Sequence, residues 1–164
     1  MDKTPSLLSF AVAHYALRRG SIADRDLLVE FLSKTYQEAA GTQTFSHLAE
    51  TVDRHFSERT PVWWVEMEAT AQADSAQPIG CLWLGNAIDQ QRGERHSYVL
   101  ALYVSPAHRR RGIATALMQH AQDWARARGD HQVGLQVYAE NPGAIALYQK
   151  LGYQTHSLWL TKQL

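Results

Sequence analysis

Apolar residues recur at helical spacing in two segments of the first half of the chain, with strand-like runs around them. Leu28, Phe31 and Leu32 share one face of a helix predicted over 24–36, and a second helix is predicted over 45–56. Runs rich in Val, Trp and Tyr predict strands over 14–19, 62–67, 79–84 and 97–104, and polar stretches predict hairpin loops at 72–77 and 89–95. This half therefore predicts antiparallel hairpins combined with two amphipathic helices.

The second half of the chain alternates strands and helices. Its predicted elements are a helix over about 111–128, a strand over 132–137, a helix over 142–151 and a strand over 153–161. Gly129 and Gly152 follow the two helices, where a C-cap glycine is expected, and Asn141-Pro142 is a helix start signal. The whole pattern predicts an α/β fold: a mixed, mostly antiparallel central sheet with helices on both faces.

Composition limits the protein class. The 164 residues carry 16 Lys plus Arg and 16 Asp plus Glu, and 45% of them are hydrophobic. We therefore expect one soluble, cytoplasmic domain over 1–164, with no signal peptide, no membrane span and no general nucleic-acid binding. One cysteine and scattered histidines predict no disulfide and no metal site. Cys81 and most of Trp63, Trp64, Trp83 and Trp159, which fall on predicted strands, are expected in the core.

Three arginines stand where a strand ends and a helix begins, in the stretch SPAHRRRGIATALM at 105–118. Cations at a helix N-terminus face the positive end of its dipole, so a negative partner is expected. Gly112 permits close approach of a ligand to the backbone, Ala114 is nearly as small, and Thr115 offers a hydroxyl donor. The residues 109–111, acting with free N–H groups of the first helical turn, predict a phosphate-binding loop.

Two segments carry a family resemblance. Arg109-x-x-Gly112-x-Ala114, preceded by LYVSPAHR, resembles the acyl-CoA pyrophosphate loop of the GNAT superfamily of N-acyltransferases. YAENPGAIALYQKLGY at 138–153 resembles that superfamily's second segment. The motifs cover about 98–153, and the residues before them match only in the order of their elements.

The resemblance implies acetyl-CoA as cosubstrate, with no metal. In the family, the strand before the loop splays from the next strand, and its backbone holds the pantetheine arm while the loop holds the pyrophosphate. The residues it implies for acetyl-CoA here are Leu102, Tyr103, Val104, Arg109, Arg110, Arg111, Gly112, Ile113, Ala114, Thr115, Asn141 and Tyr148. Tyr148 is placed near the thioester sulfur and is our candidate general acid, because a phenol can protonate a thiolate of similar basicity.

The general base stays open. Many relatives carry Glu near positions 100 and 101, and enzymes that act on protein N-termini often carry one where this chain has Gln136. This chain has Leu100 and Ala101 at the first two positions. The remaining candidates are Tyr98, Glu140, a water-relayed group and His96, which is more simply a loop histidine.

The function that follows is transfer of an acetyl group from acetyl-CoA to a primary amine of a small molecule, by direct attack in a ternary complex. One alternative is acetylation of a protein N-terminus or lysine. A second is a module that binds acyl-CoA without catalysis, and a remote third is a nucleic-acid adaptor that uses the arginine run. The protein is expected to be a monomer or a homodimer.

Overall fold

The computed structural model describes residues 10–40, 45–68 and 77–164, so the predicted hairpin loop at 72–77 lies outside the described residues except for its last position. The elements are β1 Tyr15–Arg19, α1 Arg25–Ala40, α2 His47–His55, β2 Val62–Met67, β3 Gly80–Ile88, β4 Arg95–Val104, α3 Ile113–Ala127, β5 Val133–Leu135 and α4 Pro142–Lys150. Short 3₁₀ turns at Ile22–Asp24 and Pro106–His108 precede α1 and follow β4. The helices and strands predicted in the first half are thus confirmed, with shifts at their ends.

The five strands form one sheet in the order β1-β2-β3-β4-β5. The first three pairings are antiparallel, and β4 pairs with β5 in parallel. The prediction of a mixed, mostly antiparallel sheet is therefore confirmed. Parallel neighbours need a crossover, and α3 supplies it between β4 and β5.

Helices cover both faces of the sheet. Trp63 and Trp64 are neighbours on β2 and point to opposite faces, yet they are 1% and 0% exposed. Trp63 lies in the cluster that packs against α3, with Leu117 and Ala121 of that helix. Trp64 lies in the cluster on the other face, formed with α1 and α2. The sheet is consequently the middle layer of three.

The helix boundaries of the second half follow local capping chemistry. The Asn141 side chain accepts a hydrogen bond of 3.1 Å from the Ala144 N–H, which makes it the N-cap of α4. Gly129 and Gly152 follow α3 and α4 with φ angles of 78° and 86°, in the left-handed region. The predicted caps are confirmed.

The predicted last strand, over 153–161, is wrong. Residues 153–164 form neither helix nor strand, and Trp159, expected on that strand, is 76% exposed beside exposed Leu158 and Leu160. The strand predicted over 132–137 is also shorter, since it spans only Val133–Leu135. A strand needs a neighbour to pair with, and β-propensity alone does not supply one. Cys81, by contrast, is buried as predicted, and its burial raises the pKa of the thiol to about 12.

Candidate functional site

Strands β4 and β5 separate after three paired positions. Their pairing begins with Ser97 opposite Val133 and ends with Val99 opposite Leu135. Strand β4 continues to Val104 with β3 as its one neighbour in the described sheet. The backbone of β4 from residue 100 onward therefore borders a slot on its β5 side, where an extended ligand can pair with it.

A bulge in β4 lies where the two strands separate. The register with β3 shifts there and leaves Leu100 as an extra residue between the paired positions Val99 and Ala101. A Cβ atom added to Gly85 would lie 2.7 Å from a methyl carbon of Leu100, so glycine at this position of β3 makes room for the bulged side chain. Because a bulge bends its strand, it helps to open the slot.

The loop from β4 to α3 ends in an exposed helix N-terminus. The first hydrogen bond of α3 runs from the Ala116 N–H to the Gly112 carbonyl, so the N–H groups of 113–115 have no partner within the helix. Gly112 adopts a φ of 84° and Arg110 a φ of 63°, and both lie in the left-handed region. Free N–H groups and the positive end of the helix dipole together make a site for an anion.

The Arg109 side chain is partly exposed but is held by three contacts with the protein. Its Nε donates a hydrogen bond of 2.8 Å to the Val104 carbonyl, at the end of β4, and its Nη2 pairs with the Glu38 carboxylate. The guanidinium carbon also lies 5.7 Å from the centre of the Tyr103 ring. Arg109 thus joins the loop to β4 and to α1.

The other two arginines differ from each other: Arg111 forms side-chain hydrogen bonds with other described residues, whereas Arg110 does not. Arg111 donates a hydrogen bond of 3.2 Å to the hydroxyl of Tyr15, which also bonds Nδ1 of His108 at 2.8 Å. Arg110 is exposed, and its side chain has no hydrogen bond or ion pair within the described ranges. The sequence predicted three guanidinium groups around one anion, whereas the geometry holds two of them in contacts with the protein and leaves one free.

Glu38 is a site residue that sequence reasoning missed. Its Oε1 accepts a hydrogen bond of 3.0 Å from the Tyr103 hydroxyl, and its Oε2 pairs with Arg109. These partners lie 65 and 71 positions away along the chain, so no local spacing signals the contact. It forms because α1 crosses the face of β4 to which Tyr103 points.

Tyr148, the candidate general acid, is half-buried on α4. Its ring lies edge-on to that of Tyr153, with centroids 5.8 Å apart, and both pack against the cluster under α3. Burial, and secondarily the neighbouring Tyr153 hydroxyl, raises the pKa of Tyr148 above its ordinary value. The phenol therefore stays protonated at neutral pH and able to donate. Asn141 lies at the start of the same helix, and its amide oxygen accepts a hydrogen bond from the Ala144 N–H.

The candidate bases have different surroundings. His96 lies inside β4 rather than in a loop, and its Nδ1 is 3.3 Å from the Gln132 amide nitrogen. A Cβ atom on Gly134 would lie 3.1 Å from His96 Nε2 and 3.2 Å from a ring carbon of Tyr98, so both side chains lean over this glycine of β5. Burial raises the pKa of Tyr98, and Glu140 is exposed in the turn before α4.

A cavity of about 920 Å³ adjoins the anion loop on the side of β1. Its lining includes Tyr15, Met67, Arg111, Thr115 and Gln119. The cavity therefore shares Arg111 and Thr115 with the loop and the first turn of α3. None of the helices in the described ranges is both long enough and apolar enough to span a membrane.

Comparison with known proteins matches the chain to one family. The family model for the acetyltransferase (GNAT) family matches residues 25–153, which include both strands of the slot, the loop and α4. An uncharacterized N-acetyltransferase of Methanocaldococcus jannaschii is 36% identical over 85 residues, covering 49% of this chain and 36% of the relative. The uncharacterized N-acetyltransferase YdgE of Bacillus subtilis is 31% identical over 91 residues, covering 56% of this chain and 57% of the relative. The chain thus matches less than two thirds of either relative's length.

The fold also has solved counterparts. A protein of Clostridium acetobutylicum, described as a predicted acetyltransferase and solved with acetyl-CoA, superposes with a TM-score of 0.73. The two are 18% identical, and the match covers 91% of this chain and 96% of the other. At this identity the likeness concerns the arrangement of elements.

Proposed function

Since the chain belongs to the acetyltransferase (GNAT) family, we propose that it transfers an acetyl group from acetyl-CoA to a primary amine of a small molecule. The transfer is direct, within a ternary complex of protein, acetyl-CoA and amine. It uses no covalent enzyme intermediate and no metal.

One observation carries this proposal: the slot between β4 and β5 leads to the anion loop at the start of α3. Acetyl-CoA has an extended amide-bearing arm joined to a pyrophosphate, and the two parts match these neighbouring features. The backbone of Leu102, Tyr103 and Val104 binds the pantetheine arm as an added strand would. The N–H groups of 110–115 bind the pyrophosphate, and the free Arg110 guanidinium supplies charge.

The chemistry joins the amine nitrogen to the acetyl carbon and breaks the carbon–sulfur bond. The amine lone pair attacks the thioester carbonyl, and a backbone N–H near Leu102 or Tyr103 stabilises the charge that develops on the oxygen. The departing thiolate takes the phenolic proton of Tyr148, which burial keeps in place at neutral pH. The amide product and CoA result.

The attacking amine must also lose a proton. We assign this step to His96, Tyr98, Glu140 or a water-relayed group. Comparing the pH dependence of kcat/KM for wild type, His96→Gln and Glu140→Gln separates these groups, because loss of the base removes the inflection that it causes. A tyrosine base would instead give an inflection above about pH 10.

The first experiment measures the melting temperature with acetyl-CoA, CoA or ATP. A ligand that binds only the folded protein adds about 2.7 kcal/mol at a hundred times its Kd. The expected result is stabilisation by acetyl-CoA and CoA but not by ATP. If neither acetyl-CoA nor CoA stabilises the protein, the proposal is overturned.

The second experiment identifies the acceptor. The protein is incubated with isotope-labelled acetyl-CoA and a panel of small amines, peptides with free N-termini, and lysine peptides blocked at the N-terminus. Mass spectrometry then follows the label. The proposal expects label on small amines; label only on peptides would reassign the protein to protein acetylation, and binding without any transfer would make it an acyl-CoA-binding module.

A further inference from the structure

We propose that Glu38 is a positioning residue of the acetyl-CoA site: it holds Arg109, which in turn holds the end of β4. This inference rests on the proposed function and adds a residue that lies outside both sequence motifs. Glu38 is on α1, on the face of the sheet opposite α3, and it acts through other side chains without touching the cosubstrate.

Both oxygens of the Glu38 carboxylate accept hydrogen bonds from residues of the site. Oε1 accepts from the Tyr103 hydroxyl at 3.0 Å, and Oε2 accepts from Arg109 Nη2. Tyr103 is itself 7% exposed, so its hydroxyl is fixed by the packing of its ring. The carboxylate is consequently anchored at one oxygen while it restrains a guanidinium with the other.

Arg109 transmits this restraint to the slot. While Nη2 pairs with Glu38, Nε donates to the Val104 carbonyl at 2.8 Å, and the guanidinium lies over the Tyr103 ring. Val104 is the last residue of β4 and borders the slot, and Arg109 is the first residue of the arginine run. The end of the strand and the start of the loop are therefore held to each other by one side chain whose orientation Glu38 sets.

The ion pair also affects the charge of the loop. Glu38 pairs with Arg109, and Arg111 bonds the Tyr15 hydroxyl, whereas Arg110 is exposed and makes no ion pair with the described residues. If Glu38 loses its charge, the Arg109 side chain has to be ordered again each time acetyl-CoA binds. Ordering one rotamer-rich side chain weakens binding by about three- to tenfold.

The test measures CoA binding by calorimetry for wild type, Glu38→Gln and Glu30→Gln. Glu30 is a matched control, because it forms an ion pair with Lys34 on the same helix at similar exposure: 57% and 43% for that pair, against 41% and 44% for Glu38 and Arg109. The expected result is a three- to tenfold higher Kd for Glu38→Gln, a wild-type Kd for Glu30→Gln, and similar melting temperatures for the two variants.

A double-mutant cycle separates positioning from a general loss of structure. Arg109→Gln is expected to weaken CoA binding, and adding Glu38→Gln to it is expected to change the Kd little further. Tyr103→Phe keeps the ion pair and removes one anchor, so it should raise the Kd in the same direction by a smaller factor. In steady-state assays Glu38→Gln should raise the KM for acetyl-CoA and leave kcat near wild type.

An unchanged or lower Kd for Glu38→Gln would overturn the inference, since a lower Kd means that Glu38 restrains an arginine that would otherwise bind phosphate. Additive effects of the two glutamine substitutions would also overturn it. Failure of the wild-type protein to bind CoA is a different result: it overturns the proposed function itself.

Discussion

The hydroxyl of Tyr15, on the edge strand β1, accepts a hydrogen bond of 3.2 Å from the guanidinium of Arg111, 96 positions later in the chain. The same hydroxyl lies 2.8 Å from His108 Nδ1, and the two rings meet edge-on. Tyr15 is 5% exposed, so these contacts satisfy a polar group that is almost out of water. The anion loop is thus tied to β1 on one side and, through Arg109 and Glu38, to α1 on the other.

The tie to β1 predicts a stability cost for Tyr15→Phe. Removing a hydroxyl that bonds a charged group leaves Arg111 and His108 without their shared partner, so we expect a loss of about 1–2 kcal/mol in the free energy of unfolding. Urea denaturation measures it. Tyr36→Phe is the control, because Tyr36 is half-buried but makes no hydrogen bond through its hydroxyl within the described residues. Equal stabilities for the two variants would contradict the tie.

The free side chain of Arg110 predicts a charge effect on ligand binding. Arg110→Gln should weaken acetyl-CoA binding about tenfold at low salt, the value of one charge-assisted hydrogen bond. The gap from wild type should narrow as salt rises, because exposed charges are screened. Arg126→Gln, which removes an exposed arginine near the other end of α3, should leave binding unchanged. A salt-independent difference would argue against a direct phosphate contact.

The left-handed backbone at Gly112 predicts a strain effect. A Cβ atom there would meet no other atom within 4 Å, but the φ of 84° disfavours any residue with a side chain. Gly112→Ala should therefore cost about 1–2 kcal/mol through backbone strain alone. Gly143→Ala is the comparison, since Gly143 lies in the first turn of α4 without a left-handed φ, and alanine there should stabilise the helix by less than about 1 kcal/mol. Thermal unfolding of both variants should show shifts of opposite sign.

The assignment of Tyr148 as general acid predicts a loss of turnover without a loss of binding. Tyr148→Phe should lower kcat about a hundredfold or more and leave the Kd of acetyl-CoA near wild type. Burial raises the pKa of Tyr148, so wild-type kcat should hold through the ordinary tyrosine pKa of about 10 and fall only above it. Tyr153→Phe removes the hydroxyl of the neighbouring ring and should keep most activity. A variant at 148 with full turnover would remove Tyr148 from the mechanism.

Asp24 predicts an acid-sensitive contribution to stability. Burial raises the pKa of its carboxyl, but hydrogen bonds from Arg18 and from the Ser21 N–H outweigh burial and hold the pKa below the ordinary 3.8. The stabilisation is therefore complete above the unfolded-state pKa and is lost as pH falls through the folded-state value. Wild type should melt above Asp24→Asn at pH 7, with the two converging below about pH 4. Asp26→Asn, at an exposed carboxylate, is the control, and a constant difference at all pH values would contradict the assignment.

Segments that the sequence predicted correctly share a local cause. The cap at Asn141 and the glycines at 129 and 152 act within one helical turn, so their spacing alone predicts where helices start and stop. The strand predicted over 153–161 failed because its alternating β-formers say nothing about a neighbour. Strand β5, the last in the described sheet, is three residues long and pairs with β4, so it offers few free backbone groups to a further strand.

The candidate site likewise has features that depend on local sequence and features that depend on tertiary contacts. The sequence by itself determined the order of elements, the glycine-containing loop before α3, and the positions of Tyr148 and Asn141, because these depend on residues a few positions apart. Only the tertiary structure decided which contacts the three arginines make. Arg109 pairs with Glu38, Arg111 donates a hydrogen bond to the Tyr15 hydroxyl, and Arg110 is exposed. The physical reason is that hydrogen bonds and ion pairs depend on which side chains meet after the sheet and helices pack, and these partners lie 71 and 96 positions apart.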